Sequence, residues 1–259
     1  MIVRLFNWFF ALLVLLHSLP LLASEQVTSF VAAKTGAYTA NASITDLIGE
    51  DSAQAYVAIM PVDELISWEV YVPENYDTKK PAGVLVYISP SNSGELPKGW
   101  KALIDKYNLI WVAANESGNK VDTHRRLSYA IMALALIDKR YKVDGDRTYL
   151  SGFSGGGRVA SLLAIQYPTL FNGAIYNSGA NLWNKGEAIA IDQINNNRYV
   201  FIAGKKDFNL DDTKKVYRAY KKAGIEQIKL MVIPRMGHSN PSKSNFERAI
   251  KFLDQTPQE

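Results

Sequence analysis

The 259-residue chain contains no cysteine, which excludes a disulfide, a thiolate metal site and a cysteine nucleophile. A fold of this length must then rest on its hydrophobic core alone, and the chain is long enough for that. Histidine is scarce, with three residues, so chemistry that needs an imidazole has few places to go. No internal repeat and no low-complexity tract is present. No block of like charge marks a nucleic-acid groove either: the pairs Lys79/Lys80, Lys205/Lys206, Lys214/Lys215 and Lys221/Lys222 are scattered and read as solvated surface. A composition 47% hydrophobic and 21% charged is that of a globular protein rather than a disordered or fibrous one.

The first two dozen residues stand apart. Arg4 is their only charge, Trp8 through Leu16 are uninterruptedly apolar, and Pro20, Leu22, Ala23 and Ser24 follow. A basic start, a short apolar centre and small residues at its end read as a secretory signal peptide, residues 1–24. The apolar centre is too short to span a bilayer, which needs about 20 residues, so an uncleaved anchor is the weaker reading. Removing residues 1–24 lowers the formal charge from +4 to +3, because only Arg4 goes. The expectation is an exported protein, periplasmic or secreted, with one domain over 25–259 and no membrane contact beyond export. Asn41-Ala42-Ser43 and Asn115-Glu116-Ser117 match a glycosylation sequon, a pattern common by chance.

From Val84 onward, short apolar runs alternate with amphipathic stretches. Strands are expected at 66–72, 84–89, 109–114, 147–150, 173–176, 199–203 and 228–233. Helices are expected at 98–107, 123–141, 156–167, 212–223 and 243–253. The class is α/β, with a mostly parallel sheet covered by helices on both faces. Residues 25–60 read as an extension leading into edge strands.

The motif that carries chemistry is Gly152-Phe153-Ser154-Gly155-Gly156. Gly-x-Ser-x-Gly alone is weak, but here an apolar strand enters it and a helix leaves it, the setting of a nucleophile elbow. Ser154 is the candidate nucleophile, raised on a strained turn whose neighbours must be small. A phosphate-binding loop would want Lys followed by Ser or Thr, which is absent. A serine hydroxyl needs a base, and beyond the leader only His124 and His238 remain. His238, in a loop after the strand 228–233, follows Ser154 as the order Ser, Asp, His requires. His124 sits at a helix start among Asp122, Arg125 and Arg126. The acid must lie between Ser154 and His238, where Glu187, Asp192, Asp207, Asp211, Asp212 and Glu226 are the candidates. Asp207 is best placed, just past the carboxyl end of the strand 199–203, where ligand sites of parallel sheets form. Asp211 and Asp212 are the fallback, reading otherwise as an acidic first helix turn. For an oxyanion, the N–H of Gly155 is one donor, and Ser91 or Asn92 in the loop after the strand 84–89 is the other.

Gly152-Phe153-Ser154-Gly155-Gly156, Gly204-Lys205-Lys206-Asp207 and Gly237-His238 together resemble the α/β-hydrolase superfamily. Within it the chain is similar to secreted esterases and poly(3-hydroxyalkanoate) depolymerases, with feruloyl esterases and dienelactone hydrolases as cousins. The likeness covers about residues 66–254. It implies eight sheet strands, hydrolysis of carboxylic esters through an acyl-enzyme on Ser154, and no metal or organic cofactor. The substrate is then a small-molecule or polymer-borne ester. Ser89-Pro90 departs from the His-Gly that many such enzymes carry. The stretch 178–197 reads as a lid or a surface loop. Two rivals stand beside the esterase. One is a serine peptidase or acyltransferase with the same triad, the peptidase disfavoured because no extra gating domain fits here. The other is a non-catalytic binding protein of this fold, disfavoured because serine, acid and base are all present.

Overall fold

A computed structural model of the chain describes residues 34–183 and 190–255. The leader expected at 1–24 lies outside the described residues. Eight strands form one sheet: β1 Gly36–Ala42, β2 Ile66–Val72, β3 Ala82–Ile88, β4 Leu109–Ala114, β5 Val143–Phe153, β6 Gly173–Asn177, β7 Arg198–Gly204 and β8 Ile228–Ile233. Their order across the sheet is β1-β2-β4-β3-β5-β6-β7-β8. β1 and β2 pair antiparallel, as do β2 and β4, and every later pair is parallel. The parallel strands therefore end at one edge, and their following loops meet there.

Alternation decides which residues cover which face. On β3 every residue is buried, yet Val84, Val86 and Ile88 join one core cluster while Leu85 and Tyr87 join another. The first cluster is closed by α4 Thr123–Asp138, α5 Gly155–Gln166 and α7 Leu210–Lys222, through Leu127, Leu136, Leu163, Val216 and Tyr220. The second is closed by α3 Lys101–Lys106 and α8 Lys243–Leu253, through Leu103, Ile104, Phe246 and Ile250. A short helix, α6 Ile191–Asn195, precedes β7. Two residues far apart in the chain lock the second face: the rings of Trp100 and Phe246 stack at 3.5 Å and 8°. The Trp100 indole N–H donates to Pro241 O at 3.3 Å.

The expected elements are found with shifts of a few residues at their ends. β5 starts at Val143, earlier than expected, because the polar stretch Asp144-Gly145-Asp146 hides its first half from a hydrophobicity pattern. Residues 34–60 hold a single edge strand, β1, rather than several. Ser43 stops it by accepting the N–H of Asp46, whose carboxylate accepts the N–H of Ser43 in return. This reciprocal cap starts α1 Ile44–Ile48, and α2 Glu50–Ala53 follows.

Phe246 is fully buried against Trp100, so Phe246→Ala removes a ring and leaves a cavity. The expected loss is about 3–5 kcal/mol, read as a lower urea midpoint; an unchanged midpoint would contradict this packing.

Candidate active site

Ser154 sits between β5 and α5 with φ 55° and ψ −119°, a region that costs a non-glycine residue about 1–3 kcal/mol. Three contacts hold it there. Its N–H donates to Asn177 O at the end of β6, at 2.8 Å. Gly156 lies so close to β3 that a Cβ would stand 1.8 Å from Ile88 O. Gly152 faces the helix backbone in the same way, 2.4 Å from Gly156 O. The glycines of the motif are thus required by close approach of backbone to backbone.

Ser154 Oγ lies 2.9 Å from His238 Nε2, and His238 Nδ1 lies 2.9 Å from Asp207 Oδ1. Asp207 is an acceptor facing Nδ1, so Nδ1 carries the proton and Nε2 is left to accept from the serine hydroxyl. The Asp207 side chain is wholly buried, whereas that of His238 is 22% exposed. Asp207 Oδ1 also accepts the N–H of Asn209 at 2.8 Å, while Oδ2 has no partner among the described residues. A buried carboxylate with one oxygen unpaired is costly and gains from a positive imidazole beside it. An assembly with this geometry can take a proton from the serine as the serine attacks, and return it to a leaving group.

The loops that carry Asp207 and His238 are sewn together. Lys205 N–H donates to Ile233 O at 2.9 Å and Lys206 N–H to Met236 O at 3.0 Å. Beyond His238, Asn240 Oδ1 accepts from Tyr87 Oη at 3.2 Å and from Asn177 Nδ2 at 3.0 Å, which ties the His238 loop to β3 and β6. The imidazole lies between two aromatic rings, with the Phe208 centroid 4.1 Å away and the Phe153 centroid 4.9 Å away. Phe208 is 78% exposed, so most of its ring is open to solvent beside His238.

Gly155 opens α5, and its N–H is among the four at the helix start without an intrahelical acceptor. Ser91 lies in the adjacent loop after β3, where its N–H donates to Ser89 Oγ at 3.2 Å and its hydroxyl lies 3.0 Å from the same oxygen. That loop is tied to the loop after β4: Glu116 N–H donates to Asn92 O at 2.9 Å, Gly118 N–H to Asn92 Oδ1 at 3.2 Å, and Asn119 N–H to Pro90 O at 3.0 Å. Beneath it lies Arg126, 4% exposed, whose Nη2 donates to Ser89 O at 2.8 Å. Its Nε has no partner among the described residues, and burial lowers its pKa from the ordinary arginine value. Arg126 has no carboxylate partner among the described ion pairs and is committed to the loop.

The other sequence candidates fall elsewhere. His124 is exposed at the start of α4, beside its cap Asp122. Asp212 pairs with Arg158 at 3.2 Å, and Asp211 faces Lys214 on α7 at 3.9 Å. Glu187 lies outside the described residues. The sequon residue Asn115 is half-buried and occupied, with its amide bonded to Gly94 N, Ser67 Oγ and Glu69 Oε1. Sequence reasoning misses Phe153 and Phe208, although they are the chain neighbours of Ser154 and Asp207. It also misses Asn119 and Arg126, which carry no motif and are recognisable only once the loops after β3 and β4 lie side by side.

Gly156→Ala would force Cβ onto the Ile88 carbonyl, with backbone on both sides. The expected cost is about 2–3 kcal/mol or more, which at this chain length lowers Tm by roughly 4–12 °C. A thermal melt matching wild type would refute the close approach.

Residues 104–202 match the family model described as Esterase PHB depolymerase. A poly(3-hydroxybutyrate) depolymerase from Ralstonia pickettii is 26% identical over 95 residues, 31% of this chain and 20% of that protein. The match therefore spans about a fifth of the relative's length. Among solved structures, a ferulic acid esterase aligns over 84% of this chain and 97% of its own, with 17% identity and a TM-score of 0.59. Porphyromonas gingivalis dipeptidyl peptidase 4 aligns over 74% of this chain and 33% of its own, with 16% identity and a TM-score of 0.55. The chain is an α/β-hydrolase by fold, and its central part, residues 104–202, matches the esterase PHB depolymerase family.

Proposed function

We propose that the chain is a serine hydrolase of carboxylic esters, with Ser154 as nucleophile, His238 as general base and acid, and Asp207 orienting His238. The observation that carries this reading is the unbroken hydrogen-bonded line from Ser154 Oγ through His238 to buried Asp207. It lies on an elbow strained at φ 55°. In the first half-reaction Ser154 Oγ bonds to the ester carbonyl carbon as His238 Nε2 takes the hydroxyl proton. The carbonyl π electrons move to oxygen, where the Gly155 N–H at the positive end of α5 stabilises the charge. As that oxygen re-forms its double bond, the C–O bond to the alcohol breaks and the leaving oxygen takes the proton from Nε2. Water then repeats the sequence on the acyl-enzyme, freeing the acid and restoring the serine.

The substrate side is supported by Phe208. An exposed phenyl ring beside the base offers an apolar contact, which suits an apolar acyl group or a polymer-borne ester. The leader-like residues 1–24 support export, where such a substrate would be met. The same three residues would serve a peptidase. The likeness to a dipeptidyl peptidase rests on a third of that chain and supports the shared fold.

Two measurements test the reading. Wild-type protein is expected to label with a fluorophosphonate probe and to hydrolyse p-nitrophenyl esters, and Ser154→Ala to do neither; an active or labelled variant would sink the assignment. Phe208→Ala, on an exposed ring, is expected to keep Tm and to raise KM for p-nitrophenyl butyrate by roughly 5–10-fold, with kcat falling less. Unchanged KM across acyl lengths would remove Phe208 from the substrate surface.

A further inference from the structure

The serine-hydrolase reading, on which the present proposal rests, leaves the oxyanion with one donor, the Gly155 N–H. In the loop after β3 the Asn92 N–H has no acceptor among the described residues, while its neighbours are engaged. Pro90 has no N–H, that of Ser91 goes to Ser89 Oγ, and that of Gly94 goes to Asn115 Oδ1 at 2.9 Å. The Asn92 side chain is spent on Gly118 N and Glu116 Oε2.

We propose that the side-chain amide of Asn119, from the loop after β4, is the second oxyanion donor. A Cβ built on Gly155 would stand 2.0 Å from Asn119 Oδ1, 2.7 Å from its Cγ and 2.9 Å from its Nδ2. The amide therefore packs closely against Gly155, with Oδ1 its nearest atom. Among the described residues neither atom of that amide has a hydrogen-bond partner, so Nδ2 is free to donate. Rotation of the terminal torsion, which is soft and roughly two-fold, exchanges Nδ2 with Oδ1 in place. The backbone beneath it is fixed. Asn119 N–H is held by Pro90 O at 3.0 Å, Val121 N–H by Gly118 O at 3.0 Å, and Glu116 occupies the left-handed region at φ 48°. The backbone that carries the amide is thus held by hydrogen bonds, while the exposed amide is left able to turn toward an acceptor. An amide used this way strengthens its bond as the carbonyl becomes an oxyanion, so it acts on kcat more than on KM.

The test is steady-state hydrolysis of p-nitrophenyl acetate, with fluorophosphonate labelling and thermal melts, by wild type, Ser154→Ala, Asn119→Ala, Asn119→Asp and Gly155→Ala. Asn119→Ala is expected to lower kcat about 10²–10³-fold with KM nearly unchanged, and to keep Tm because the residue is exposed. Asn119→Asp, of equal size but anionic, is expected to lose at least as much. Gly155→Ala keeps the backbone N–H but pushes the amide aside. It is expected to lose activity comparably and to add little when combined with Asn119→Ala. Asn119→Ala and Asn119→Asp both within about 3-fold of wild-type kcat, while Ser154→Ala is dead, would overturn the role of Asn119 and leave the hydrolase standing. A wild type that neither labels nor turns over would overturn both.

Discussion

The N–H of Ser154 donating to Asn177 O is the hinge on which the site turns. It holds Ser154 in a backbone region that it would otherwise avoid, at a cost of about 1–3 kcal/mol. The close seating of Gly156 on β3 keeps α5 from relaxing away. With the elbow fixed, the remaining geometry follows from the parallel sheet. β7 and β8 are neighbours, so the loops after them bring Asp207 and His238 to the same edge. The hydrogen bonds between those loops set the imidazole at 2.9 Å from the serine.

Much of this is legible in the residues themselves. His238 stands out because histidine is scarce, Ser154 because of its glycine-flanked motif, and Asp207, among six acidic candidates, because it sits just past an apolar run that reads as a strand. The alternation of the runs carries the class and the helices on both faces. Within residues 34–60 no element bounds are legible, because the reciprocal cap at Ser43 that ends β1 is a local hydrogen-bond event that hydropathy does not report. The early start of β5 is hidden by polar residues that join the strand ahead of its apolar run. Asn119 and Arg126 are invisible for another reason. Their surroundings come from the parallel pairing of β3 with β4, which lays the loops after those strands side by side.

Arg126 shows how the fold spends a buried charge. Its guanidinium is taken out of water, keeps one nitrogen unpaired, and gains a bond to the Ser89 carbonyl. As a contribution to stability this is a poor exchange. Its effect is to tie α4 to the loop after β3, which packs against the start of α5.

The wall of the site is built as two backbone-bonded blocks, one from the loops after β3 and β4 and one from the loops after β7 and β8, with α5 wedged between them. Chimaeras made by recombining related genes should therefore inherit residues 89–119 from a single parent, and residues 204–241 likewise.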